Sequence, residues 1–122
     1  MALTPMSSYE LQAAVKTGEV VLAYFWSDWH EGCAETTAIM EKIGQRYDGR
    51  AIVASINADE AGFFAVEMNA YPLPMTIIFQ DGMEVDRIAG AQEIELFDYA
   101  LKLCVDPPAI NPYELINTMG WM

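Results

Sequence analysis

An α/β domain with a mixed β-sheet flanked by helices on both faces, followed by a short C-terminal helical extension, is the fold this sequence predicts. Three observations carry that reading. The apolar runs at residues 20–26 and 51–56 are short, continuous and partly β-branched, as strands covered on both faces are. Stretches with apolar residues at helical spacing alternate with them. Asp81-Gly82, set between two further strand-like runs, is a strong signal for a tight antiparallel hairpin.

Taken in order, Ser7-Ser8-Tyr9-Glu10 reads as a capping box, and Leu11, Ala14 and Val15 continue it as a helix that Thr17-Gly18 ends. A buried strand at 20–26 runs into the loop Trp26-Ser27-Asp28-Trp29-His30-Glu31-Gly32-Cys33. Thr36, Ile39, Met40, Ile43 and Tyr47 then mark an amphipathic helix over about 32–47, closed by Asp48-Gly49. The early acids Glu31 and Glu35 suit its dipole. A second strand at 51–56 leads through Asn57-Ala58-Asp59 into a short helix at about 60–68. Tyr71-Pro72-Leu73-Pro74 cannot continue it. Strands at 75–80 and 84–89 form the hairpin, and a helix at about 92–105 closes the domain. Asp106-Pro107-Pro108 stops that helix.

Residues 1–106 therefore form one domain, and 107–122 an extension. Asn111-Pro112-Tyr113-Glu114 combines an N-cap, a proline at the first helical position and a capping glutamate. Leu115, Ile116, Met119 and Trp121 then give a short amphipathic helix. Its apolar side either packs back on the domain or docks a partner.

The 122 residues carry 18 acidic against 6 basic side chains, a formal charge of −12. Such a surface repels phosphate backbones and anionic lipid, which argues against nucleic-acid and membrane partners. It serves solubility, or it meets a basic protein partner. No early segment joins a basic region to an apolar one, and the longest apolar run is far short of a membrane span, so a cytoplasmic location is expected. Two cysteines, Cys33 and Cys104, make no disulfide framework. The last helix should start near the edge that carries Cys33 and take Cys104 some 15 Å away from it, whereas bridged Cα atoms must come within about 7 Å. One histidine and two cysteines are also too few for a zinc site without carboxylate help, so neither metal nor cofactor is expected.

Three segments, in order and at matching spacing, point to a family. Val21-Leu22-Ala23-Tyr24-Phe25-Trp26-Ser27-Asp28-Trp29 resembles the strand that enters the active site of thioredoxins, and His30-Glu31-Gly32-Cys33 falls where they carry Cys-Gly-Pro-Cys. Leu73-Pro74-Met75-Thr76-Ile77-Ile78-Phe79-Gln80-Asp81-Gly82 is similar to the family's cis-proline strand and hairpin. Gly90-Ala91 matches the pair that ends its last strand. The resemblance spans about residues 5–105 and implies a thioredoxin-like fold. It also implies a role in protein binding or cell redox homeostasis, through a peptide-receiving groove at Trp29, Leu73, Pro74 and Gly90.

The departures fall on the chemistry. Dithiol exchange needs an attacking thiolate and a second thiol to resolve the mixed disulfide. His30 stands at the attacking position, and only the resolving Cys33 remains. Tyr24 stands where the family tends to have a buried Asp, Ser55 where a Lys often accompanies it, and Gly32 replaces the motif proline. The expected function is thus a thioredoxin-like binding or accessory module with a degenerate active site and no conventional disulfide reductase activity. The alternative is a single-cysteine exchanger in which Cys33 forms mixed disulfides, or is capped by glutathione, with His30 tuning it. The helix dipole argues for a reactive Cys33, while Asp28, Glu31 and Glu35 argue against it. His30 is expected at the exposed tip of the loop.

Overall fold

The structure, a computed structural model, describes residues 3–107. Five strands form one mixed sheet in the order β1-β3-β2-β4-β5. They are β1 (Leu3–Pro5), β2 (Val21–Trp26), β3 (Ile52–Asn57), β4 (Met75–Gln80) and β5 (Met83–Ala89). The first three run parallel, while β4 is antiparallel to both β2 and β5.

The centre of the fold is β2, whose first five residues are fully buried. Strand periodicity sends Val21, Ala23 and Phe25 to one face and Leu22 and Tyr24 to the other. On the first face they meet α1 (Ser8–Lys16), α3 (Ala58–Ala61) and α4 (Phe63–Glu67); on the second, α2 (Cys33–Arg46) and α5 (Ile94–Val105). Each face holds its own apolar cluster: Leu11, Ile56 and Ile77 on one side, Met40, Ile43, Phe97 and Leu101 on the other.

Local signals explain most of the ends. Ser7 and Glu10 form the reciprocal capping box that starts α1, with Ser7 Oγ accepting from the Glu10 N–H and Glu10 Oε1 accepting from the Ser7 N–H. Asp81 and Gly82, both at positive φ, make the β4–β5 turn in the conformation that matches strand twist.

Two expectations are corrected. The segment before Ser7, read as having no element, contributes the edge strand β1, paired Leu3↔Val53 to Pro5↔Ser55. Three residues cannot display a period, and Pro5 is tolerated because an edge strand has one side without ladder bonds. The single short helix expected at about 60–68 is two. Asn57 accepts from the Asp59 and Glu60 N–H groups and starts α3 early. Gly62, at φ 56° and ψ −120°, then breaks the chain before α4. The helix assigned to the C-terminal extension lies outside the described residues.

The two helices of the second face are joined by a polar pin. Tyr47 Oη, on a residue only 3% exposed, donates to Asp98 Oδ1 at 2.8 Å, and Arg46 bridges the same carboxylate at 3.1 Å. Burial works against the Asp98 charge. The hydrogen bonds from Tyr47 and Arg46 outweigh it and hold the carboxyl below its ordinary range. Tyr47→Phe removes the neutral member of this pin without opening a cavity. It should lower stability by about 1 kcal/mol, seen as a lower urea midpoint at unchanged slope.

Candidate functional site

Four loops meet at the end of the sheet where β2 and β3 finish and β4 begins. The registers Trp26↔Asn57, Phe25↔Met75 and Met75↔Ala89 place the loops after β2, after β3, before β4 and after β5 side by side.

The first loop is held by a residue from the second. Asp59 Oδ2 accepts from the fully buried Ser27 Oγ at 2.8 Å and from Trp29 Nε1 at 3.0 Å. A hydrogen bond to a carboxylate is among the stronger ones a protein makes. It helps fix an indole that is 72% exposed. The His30 ring lies against Trp29 with centroids 4.2 Å apart. His30 is therefore not an exposed tip, as the sequence suggests, but half-buried, with Nδ1 shielded from solvent and unpartnered among the described residues.

Gly32 is required by geometry. Its φ of +85° is left-handed, which a proline ring cannot adopt. A Cβ there would sit 3.1 Å from Ala91 Cβ and 3.9 Å from Pro74 Cδ. The glycine in place of the motif proline thus lets the loop close against the other two loops. Across from it, the Leu73–Pro74 peptide bond is cis, and so is Tyr71–Pro72, which nothing in the sequence singles out. Pro74 carbonyl accepts from the Gly90 N–H at 2.8 Å, tying the third loop to the fourth. The Leu73 side chain is buried in the core, so what Leu73 can offer the groove is its backbone. That backbone pairs with no other described backbone group. Pro74 and Gly90, named from the sequence, are joined by their backbone hydrogen bond, and Trp29 stands on the loop after β2; with Leu73 they are the positions of the groove that the family resemblance implies.

Cys33 opens α2 and lies beneath this groove, 3% exposed, within the apolar cluster of Phe25, Leu73 and Met75. The decisive neighbour is Tyr24. Its hydroxyl donates to the Cys33 carbonyl at 2.7 Å and lies 2.8 Å from Thr37 Oγ1. Burial, above all, pushes this phenol up to about 12, against a smaller opposing pull from Thr37. A tyrosine kept protonated so far above neutrality cannot take a proton from a thiol. Behind Cys33 a cleft of about 670 Å³ opens between α2 and the outer edge of the sheet, lined in part by Leu3, Pro5, Trp26, Thr37 and Ser55. Cys104 is at the far end of α5, where its carbonyl accepts from Gln80 Nε2, and both cysteines are free. Burial and then Asp86 push the Cys104 thiol up. Among the described residues no three His, Cys, Asp or Glu side chains converge as a metal site requires, and no helix is long and apolar enough to cross a membrane.

Asp59 is the residue that sequence reasoning missed. Its partners are about thirty positions away, and the only local hint was an acid in the loop that follows the neighbouring parallel strand.

A mixed five-stranded sheet with helices on both faces, and a cis-proline loop set against a strand-to-helix loop, define the class of fold. The chain belongs to the thioredoxin family, whose family model matches residues 3–102. It is 28% identical over 95 residues to a thioredoxin of Staphylococcus aureus, covering 78% of this chain and 90% of that protein. Among solved structures, a mutant thioredoxin from Halobacterium salinarum superposes with a TM-score of 0.79 at 24% identity, over 90% of this chain and 94% of the other. The thioredoxin of Malassezia sympodialis gives 0.77 at 20% identity, over 84% and 90%.

The Tyr24 environment has a signature in alkali. Tyr24 and Tyr47 are both pushed up to about 12, chiefly by burial, whereas an unfolded tyrosine ionises near ~10. Between those values the unfolded chain sheds protons that the folded chain keeps. Their contribution is therefore whole below about pH 10 and is lost as pH rises through about 12. Urea melts across that window should show the fall. Tyr24→Phe, itself less stable at neutral pH by about 1–2 kcal/mol, should reduce the fall by about half, leaving the Tyr47 share.

Proposed function

We propose that this protein is a peptide-binding or accessory module of the thioredoxin family that does not turn over disulfides. One observation carries the proposal: the buried group beneath Cys33 is a neutral phenol, its hydroxyl engaged by the Cys33 carbonyl and Thr37. With His30 at the attacking position, exchange would lack a nucleophile, and the resolving thiol would lack a base to receive its proton. The parts that hold a substrate strand are intact by comparison. The unpaired Leu73 backbone next to the cis bond can add a strand to an incoming peptide, and Trp29 is held upright beside it.

A cytoplasmic setting belongs to the same proposal, since two free cysteines suit a reducing compartment. The alternative, a single-cysteine exchanger, calls for a thiol that a disulfide can reach. Burial of Cys33 to 3% and its place in the apolar cluster favour the binding reading instead.

Two measurements separate the readings. Reduction of a protein disulfide supplied with a dithiol reductant should run at the uncatalysed rate, and Cys33→Ser should not change it. In native protein, iodoacetamide should modify the half-buried Cys104 before Cys33, with Cys33 reacting freely only after unfolding. Robust turnover abolished by Cys33→Ser would overturn the proposal in favour of the exchanger.

A further inference from the structure

The charges of this molecule are sorted by position. The loops that form the groove end carry Asp28, Glu31, Asp59, Glu60 and Glu93, all exposed, and no lysine or arginine. All six basic residues are elsewhere. Lys16 and Arg46 occupy the last turns of α1 and α2, Lys102 that of α5, and Arg50 the turn into β3. Arg87, within β5, is spent on Glu84 and on the Met68 and Asn69 carbonyls. The remaining one, Lys42, is nine residues along α2 from Cys33, about 13 Å at ~1.5 Å per residue. Beyond a Debye length of about 8 Å, its field at the groove is largely screened.

The N-termini of α1, α2 and α5 also point to this end and contribute partial positive charge, roughly half a unit each. Five full negative charges exceed that by about threefold, so this end presents a negative field to whatever approaches. The same loops expose two large aromatic side chains, Trp29 at 72% and Tyr71, two residues before Leu73, at 42%. A chain pairing with the Leu73 backbone would present alternate side chains to these aromatic side chains and to the acidic rim.

Resting on the groove reading above, we infer that the partner is a basic extended segment, with apolar residues alternating with lysine or arginine. The acidity of the groove end is thereby a recognition feature and not only a solubilising one. An acidic strand would be repelled before the aromatic contacts could form.

The test uses the full-length protein and three fluorescently labelled ten-residue peptides with the same alternating apolar residues, carrying Lys, Ser or Glu between them. Binding is read by anisotropy at low and high salt. The expected order is Lys over Ser over Glu. The Lys peptide should weaken about three- to tenfold with Asp28→Asn/Glu31→Gln, as loss of two exposed rim charges implies. The distal pair Glu19→Gln/Asp48→Asn, an equal change in net charge at the other end, should leave binding unchanged, and Trp29→Ala should weaken all binding. Equal affinity for the three peptides would overturn the charge inference and leave the groove reading standing. Binding of the Lys peptide that ignores Trp29→Ala, or that responds alike to both neutralised pairs, would mark non-specific adhesion to an acidic surface and overturn it as well. Binding of none of the three up to millimolar concentration would sink both the inference and the groove reading.

Discussion

Everything in this structure answers to the burial of β2 on both faces and both edges. A strand with five consecutive inaccessible residues has no side left for water, so its backbone must be paired on both flanks and its side chains covered above and below. That constraint calls for β3 and β4 as neighbours and for helices on each face. It also dictates where the chain can escape: at Trp26, where the strand ends and the polypeptide must turn over the edge of the sheet. The loop that follows is therefore the one place where the most rigid element of the fold meets the surface.

At that exit the structure spends its polar groups on positioning. Asp59 ties the second loop to the first through Ser27 and Trp29, the Pro74–Gly90 bond ties the third to the fourth, and Gly32 brings the first against the other two. The groove is thus assembled from segments that are dispersed in sequence yet fixed to one another. Pre-ordering of this kind reduces what must be lost in freedom when a strand docks. Beneath it, Cys33 is packed among apolar side chains and its carbonyl accepts from the hydroxyl of Tyr24.

The sequence disclosed the parts of this arrangement that have a local period or a local signature. The capping box at Ser7, the Asp81-Gly82 turn, the apolar runs and the helical spacing in α2 and α5 each express their element within a few residues, and all formed where expected to within two or three positions. The edge strand β1 was hidden because three residues have no period and gain their strand character only by pairing with β3. The break at Gly62 was hidden because a lone glycine inside an apolar-spaced segment also fits an uninterrupted helix. At the site, the identities of His30, Cys33, Tyr24 and Gly32 were legible as departures from the family pattern, but their physical meaning was not. Only the fold shows that His30 folds under against Trp29, that Gly32 adopts a backbone angle closed to proline, and that Asp59 reaches across from another loop.

The hydroxyl of Tyr24 also bears on what one substitution can achieve. A chain with His30 is one substitution away from an attacking thiol, but here the path to dithiol chemistry also runs through the core. A cysteine restored at position 30 would find no proton acceptor below Cys33. A carboxylate restored at position 24 would exchange a filled, fully bonded site for a cavity and a buried charge. Either defect alone costs about 2–5 kcal/mol, a large share of the roughly 5–15 kcal/mol that holds a domain of this size together. Each step is without benefit until the other has occurred. Position 24 and position 30 are thus coupled: the packing around the Tyr24 hydroxyl makes a dithiol site here depend on two changes at once.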